Sequence, residues 1–215
     1  MNPEEHFNDY RKWLNNEIQR LYCYFYVYKR INERVKDRLE EINLAPCFFQ
    51  TVVDGLFSAM IIWIEKLTAK NSERGLYNFL TFIKSNIGLF SVANLRRRRN
   101  YPKDHWMVEG RAAPTIATVD EDIKRIEELP SIDSIRTRRD KFHAHFDKEF
   151  FFDRKKLQEA APILWDNLEQ ILKTIKETVN NYSADYDGNL FEYQPLNIND
   201  IDIILDRLHE GKDAT

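Results

Sequence analysis

The sequence predicts an all-α protein, a single-domain helical bundle over residues 1–215. Apolar residues recur at three- and four-residue spacing along most of the chain, which is the period of an amphipathic helix. We find no stretch of alternating apolar and polar residues that would indicate a strand. Hydrophobic residues make up 43% of the 215 residues and charged residues 31%, a composition typical of a globular protein with a core.

The N-terminal part is predicted to form three helices. The first is long, from about Pro3 to Asn43, with a proline in its first turn and glutamates near the positive end of its dipole. The second, Cys47 to about Ala69, is apolar on most sides, so we expect it to be central to the core. Its most apolar run, residues 52–64, is too short to cross a bilayer. The third helix runs from Gly75 to Asn86.

An irregular insertion is predicted at about residues 88–118, because the helical period fails there. It contains four consecutive arginines: Arg96, Arg97, Arg98 and Arg99. With Tyr101 and Trp106 close behind, this run could bind RNA phosphates and stack a base. A solvated loop or helix end is the alternative interpretation.

The remaining chain is predicted to form four more helices, at about residues 118–129, 131–147, 154–181 and 198–209. Thr118 and Glu121 have the spacing of a capping box for the first of them, and Pro130 ends it. Asn197 is the expected N-cap of the last.

Composition excludes several classes of protein. A net charge of -3 and a pI near 6.0 argue against a protein that coats DNA, so nucleic-acid contacts must come from local basic patches. There is no glycine-rich phosphate loop and no zinc-hydrolase motif, and we expect neither a metal nor a cofactor. The unpaired spacing of Cys23 and Cys47, and a polar N-terminus unlike a signal peptide, predict a cytoplasmic protein.

The helix predicted at residues 131–147 carries the segment "SIRTRRDKFHAHFD". An apolar seam along it is formed by Ile132, Ile135, Phe142 and Phe146. Arg139 occupies the seam position at which the pattern requires an apolar residue. Burying a guanidinium is costly unless an anion meets it. Arg139 is therefore either locked to a carboxylate of the protein or placed to bind the phosphate of a ligand.

Histidines beside these arginines supply the groups that metal-free RNA cleavage requires. Histidine both takes and gives a proton near neutral pH, and arginine stabilises the charge that develops on a phosphate. His143 lies one turn from Arg139, and His145 lies on the same helix edge as Arg138. A solvated basic helix face is the simpler alternative.

The stretch "RRDKFHAHFD" resembles the signature of the HEPN superfamily (higher eukaryotes and prokaryotes nucleotide-binding domains), an arginine followed after four to six residues by a histidine. It is most similar to the AbiU-like abortive-infection branch. Arg139 and His145 match with five residues between them, and Asp140 is the polar residue that commonly follows the arginine. Arg138 and His143 match with a spacing of four, so this second assignment stays open.

The resemblance implies a homodimer in which two motifs face each other across a cleft and cleave RNA without metal, as a toxin or phage-defence effector. Arg139 and His145 would be catalytic, and the implied supporting residues are Arg138, Asp140, His143 and Asp147. A cognate antitoxin protein is a further implied partner. In related toxins a modified tyrosine often occupies the position of Asp147, so inhibition through that tyrosine is not supported here.

Two other functions remain open from the sequence. One is a non-catalytic HEPN-like dimer that binds RNA, a nucleotide or a protein partner, because fold resemblance does not guarantee activity. The other is an antitoxin or regulator that binds nucleic acid through residues 96–99.

Overall fold

The computed structural model describes residues 2–143 and 154–212, and in these residues it has ten α-helices and no strand. The all-α prediction is confirmed. The helices are α1 (Pro3–Arg34), α2 (Leu39–Ile42), α3 (Pro46–Thr68), α4 (Leu76–Ser85), α5 (Val92–Arg99), α6 (Ile116–Glu127), α7 (Ile132–Arg138), α8 (Arg154–Ala160), α9 (Trp165–Asp187) and α10 (Asp200–Lys212).

The long N-terminal helix is present but shorter than predicted. The side chain of Asn2 accepts a hydrogen bond from the Glu4 amide at 3.0 Å and so caps α1, whose first residue is Pro3. The helix ends at Arg34 instead of Asn43, and a turn over residues 35–38 separates it from α2.

The apolar helix α3 is largely buried in its C-terminal half, whereas Phe49 is the one buried residue of its N-terminal half. Met60, Ile61 and Ile64 are fully buried, whereas Phe48 in the first turn is 58% exposed. The expectation of a helix central to the core is therefore wrong for the N-terminal half. Contrary to the estimate from residues 52–64, α3 has the length and composition to span a membrane, and it is the one such helix among the described residues. This is weak evidence for a span, because core helices of soluble proteins pass the same test.

The main core joins α1, α3, α4, α6, α7 and α9 around large apolar side chains. Its fully buried members include Phe7, Leu14, Ile18, Leu21, Met60, Ile61, Ile64, Phe79, Leu80, Ile83, Val119, Ile135, Ile171, Ile175 and Val179. Burial of this surface supplies the main driving force for folding. For the candidate site, the core matters because it holds α7 against α3.

The irregular segment is shorter than the predicted insertion at 88–118. A 3₁₀ turn (Ile87–Phe90) and α5 occupy its first part, and residues 100–115 are the irregular remainder. Helix α5 has no apolar stripe, since Leu95 is its one buried residue, and the periodicity search therefore missed it. Local caps define it instead: the Ser91 hydroxyl accepts from the amide of Asn94, and Asn100 ends the helix with φ of 54°.

The long helix predicted at residues 154–181 is two helices, α8 and α9. Pro162 lies in the break between them, where it cannot donate a backbone hydrogen bond and restricts the residue before it. At the other end, α9 continues past the predicted stop to Asp187. Gly188 ends it in the left-handed region, with φ of 74°.

Two predicted caps are also corrected. The capping box of α6 pairs Thr115 with Thr118, one turn earlier than the predicted Thr118 and Glu121. The last helix, α10, begins at Asp200 instead of residue 198, and Asn197 contributes its backbone carbonyl to the turn before the helix. Asp202 anchors α10 to two arginines of α1, at 2.6 Å each.

Candidate functional site

The motif segment begins in α7 and continues as one turn of π-helix, Arg139–His143. Ile132 and Ile135 are buried in the core and fix the orientation of α7. Asn167 of α9 donates to the hydroxyl of Ser131 at 2.6 Å, which holds the start of α7 against α9. Single π turns in α-helices are found frequently at functional sites. The segment is therefore held rigidly at its start, with altered helical geometry where the motif begins.

Arg139 makes ion pairs with two carboxylates of its own chain. Its Nη1 donates to Glu65 Oε1 at 2.5 Å, and its Nε and Nη2 donate to Asp140 Oδ1 at 2.7 and 2.6 Å. Of the two alternatives for this seam arginine, a carboxylate of the protein is thus the partner in the structure. The side chain is still 31% exposed, and three of its five N–H groups take part in these contacts. Two of its donors have no partner among the described residues.

Glu65 is a buried carboxylate, with 6% of its side chain exposed. Besides Arg139 it faces Arg136, whose Nε lies 3.6 Å from Oε2, and Oε2 has no hydrogen-bond partner among the described residues. Sequence reasoning missed this residue. The available signal was a lone acid in the apolar stretch "MIIWIEKL", because a charge is buried there only when it is paired.

Arg138 points to a different environment. Its Nε donates to the carbonyl of Ala161 at 2.6 Å, and its guanidinium lies 5.7 Å from the centre of the Phe57 ring. Burial lowers the pKa of Arg138, an effect that Tyr28 partly opposes. In the part of the chain that the structure describes, no carboxylate forms an ion pair with Arg138. The two adjacent motif arginines therefore differ: one is paired with acids, and the other is half-buried without one.

A small cavity of about 190 Å³ lies beside Arg138. Its other lining residues come from α3, the π turn and α8: Asp54, Phe57, Ser58, Phe142, Leu157 and Gln158. The described residues contain no group of three His, Cys, Asp or Glu side chains that could hold a metal ion.

The predicted histidines are placed only in part. His145 and Asp147 lie outside the described residues, and of His143 the backbone alone is described, as the last residue of the π turn. Both assignments of the arginine–histidine pair therefore stay predictions.

The arginine run is divided by its contacts. Arg98 is 13% exposed, donates to two backbone carbonyls and to Glu4, and stacks 3.8 Å above the ring of Tyr186. Arg99 donates to the carbonyl of Asp187 and to Asn189. These two side chains fasten α5 to the C-terminal end of α9. Their first role is structural.

Arg96 and Arg97 point outward. Arg97 is 70% exposed, with Glu4 3.7 Å away, and Arg96 is exposed with its Nε on the carbonyl of Tyr101 at 3.0 Å. Of the four arginines predicted to bind RNA, Arg96 and Arg97 are therefore the candidates that remain.

Comparison with known families agrees with this geometry. Residues 4–206 match the family model HEPN_AbiU2, described as AbiU2. The chain belongs to the HEPN_AbiU2 family. The predicted resemblance to the HEPN superfamily and its AbiU-like branch is confirmed, and the match includes the motif segment and all helices up to the middle of α10. HEPN_AbiU2 proteins are abortive-infection HEPN domains and are generally soluble. No curated protein and no solved structure matches the chain.

Proposed function

We propose that this HEPN_AbiU2 protein is a metal-independent endoribonuclease that acts as a toxin or phage-defence effector in the cytoplasm. The observation that carries the proposal is the family match together with the place of the arginine–histidine segment, in a π turn held against α3. The segment combines fixed guanidinium groups with histidines five and six residues further on.

In the proposed reaction a base removes the proton of a ribose 2'-hydroxyl, and the oxygen attacks the adjacent phosphorus. An acid then protonates the 5'-oxygen that leaves, so no water or metal enters the first step. His145 exchanges these protons, and Arg139 stabilises the additional negative charge on the phosphate. Glu65 and Asp140 hold the Arg139 guanidinium in one orientation, in which its planar N–H groups can donate to a phosphate.

Arg138 with His143 is the competing assignment. Among the described residues Arg138 has no carboxylate partner, and a half-buried guanidinium of this kind gains more from an incoming phosphate than one that is already neutralised. Arg138 also borders a cavity, as a ligand-binding arginine should.

We propose further that the protein is a homodimer, since HEPN domains commonly dimerise. Large apolar side chains are exposed around the start of α3: Leu39 (51%), Leu44 (52%) and Phe48 (58%). An exposed apolar group of this kind supports an interface.

The direct test is cleavage of an RNA oligonucleotide by the full chain in EDTA. We expect Arg139→Ala and His145→Ala to lose at least about 100-fold in rate, as acid–base and charge-stabilising residues do. If Arg138→Ala and His143→Ala lose activity instead, the second pair is catalytic. Arg207→Ala, which removes a 77% exposed arginine of α10, is the matched control and should keep full activity. Full activity in all four motif variants would refute the proposed site.

A non-catalytic RNA-binding dimer is the second candidate, and the ion pairs of Arg139 favour it. Glu65 and Asp140 neutralise the charge that the chemistry needs. This candidate predicts binding of RNA without cleavage, with binding unchanged in His145→Ala.

A further inference from the structure

Three aromatic rings are stacked in the irregular segment after α5. The rings of Tyr101 and His105 lie 4.0 Å apart and within 4° of parallel, and the ring of Trp106 follows at 5.8 Å and 28°. Trp106 is 78% exposed, the most exposed aromatic side chain among the described residues. An indole this exposed gains little free energy from burial, so packing in the core does not explain its position.

Hydrogen bonds hold the His105 ring and the backbone of Tyr101 in place. The Met107 amide donates to Nδ1 of His105 at 3.2 Å, and Val108, which is buried, donates to the carbonyl of His105 at 2.9 Å. Tyr101 is bound by two contacts with Arg96, through its amide at 3.1 Å and its carbonyl at 3.0 Å. The His105 ring and the backbone of the segment are therefore held in place, and a ligand that binds here does not need to order that backbone.

The segment that carries Trp106 also borders an open groove that contains two cationic side chains. Arg96 and Lys103 line an open groove of about 710 Å³, together with the acidic Asp104 and Glu109. Arg97, 70% exposed, lies on the same short helix as Arg96. The exposed residues that flank Trp106 in the chain include three charged ones (Lys103, Asp104 and Glu109), whereas the core of a protein–protein interface is depleted in charged residues.

We propose that Trp106 stacks a base of single-stranded RNA while Arg96, Arg97 and Lys103 bind its phosphates. Stacking on an aromatic face accepts any base, and cations at its edge follow the backbone. The choice of RNA rests on the proposed function. The face is a second RNA-binding site, separate from the motif segment.

Helix α9 contacts the two helices beside these sites, α7 near its start and α5 near its end. Asn167, near its start, binds Ser131 at the beginning of α7, whereas Arg98 binds Tyr186 near its end. Asn167 and Tyr186 are 19 positions apart, which is about 28 Å along the helix at 1.5 Å per residue. The anchor points of α7 and α5 are therefore about 28 Å apart along α9, and we expect the second site to act on long strands and not on very short ones.

The test is the affinity of a 2'-O-methyl RNA strand, which lacks the nucleophile and is not cut. We expect Trp106→Ala to weaken binding about tenfold and Trp106→Phe to retain most of it, because a stacking face remains. Leu196→Ala removes a 99% exposed apolar side chain and should change nothing. Arg97→Ala should reduce the slope of log affinity against log salt by about 0.7.

The proposal fails if wild type does not bind the strand or if Trp106→Ala binds as well as wild type. A change in oligomeric mass in Trp106→Ala with unchanged RNA affinity would also overturn it, in favour of a protein interface. Cleavage is measured separately on unmodified RNA. Trp106-dependent binding without cleavage refutes the nuclease only, and cleavage with Trp106-independent binding refutes this site only.

Discussion

Replacing Glu65 by glutamine should destabilise the protein through the buried ion pairs between α3 and α7. Removing one partner of a fully buried pair costs about 3–5 kcal/mol. Here Arg139 and Arg136 are 31% and 33% exposed, so they regain water when the carboxylate is lost. We therefore expect Glu65→Gln to lower the free energy of unfolding by about 2 kcal/mol, which is within the range for hydrogen bonds to charged groups. For a chain of this size that corresponds to a fall of about 4–8 °C in Tm.

The assay is urea denaturation followed by circular dichroism, which detects the loss of helix directly. Glu169→Gln is the matched control, because Glu169 is 48% exposed and pairs with Lys29 on the surface. Glu169→Gln should lower the free energy of unfolding by less than about 1 kcal/mol. A double-mutant cycle of Glu65→Gln with Arg139→Gln should give a coupling energy above about 1 kcal/mol. A coupling below about 0.3 kcal/mol, or a smaller loss than in the control, would refute the ion-pair argument.

Three other predictions follow from the contacts described above. Arg98→Ala should lower Tm by several degrees, whereas Arg97→Ala on the same helix should leave Tm nearly unchanged in a thermal melt. Burial alone would raise the pKa of Asp202, but hydrogen bonds from two arginines outweigh it and lower the pKa. The contribution of the Asp202 carboxylate to the free energy of unfolding is therefore complete above the unfolded pKa of about 3.9. It is lost as the pH falls through the lower pKa of the folded state. Accordingly, Asp202→Asn should reduce Tm at pH 7 and much less at pH 3, and equal reductions would contradict this. Light scattering should give the mass of a dimer for wild type and of a monomer for Phe48→Glu; a monomeric wild type would exclude the homodimer.

The long helices follow from the sequence because apolar spacing reports directly which face is buried. The first turn of α1 is also predictable, because the proline and the two glutamates that favour a helix start are adjacent in the sequence. Helix α5 was not, since it is held by Arg98 on Tyr186, a contact between residues 88 positions apart. The break before α9 was predictable from Pro162, but the apolar period continues across it and outweighed the proline.

For the candidate site, the sequence located the unusual residue and not its partner. Arg139 was identified because it interrupts an apolar seam, which is a local pattern. Its partner Glu65 is 74 residues earlier on another helix, and no spacing rule connects the two. The same limit applies to the difference between Arg138 and Arg139. That difference depends on which elements pack on each side of α7.

The central claim is that the protein cleaves RNA through the ribose 2'-hydroxyl without a metal. The most direct measurement compares one RNA strand with a strand that carries a single 2'-deoxy nucleotide at the cut position, both in EDTA. We predict cleavage of the first strand at that position and none of the second, because the attacking oxygen is absent. Equal cleavage of both strands, or cleavage that EDTA abolishes, would contradict the account.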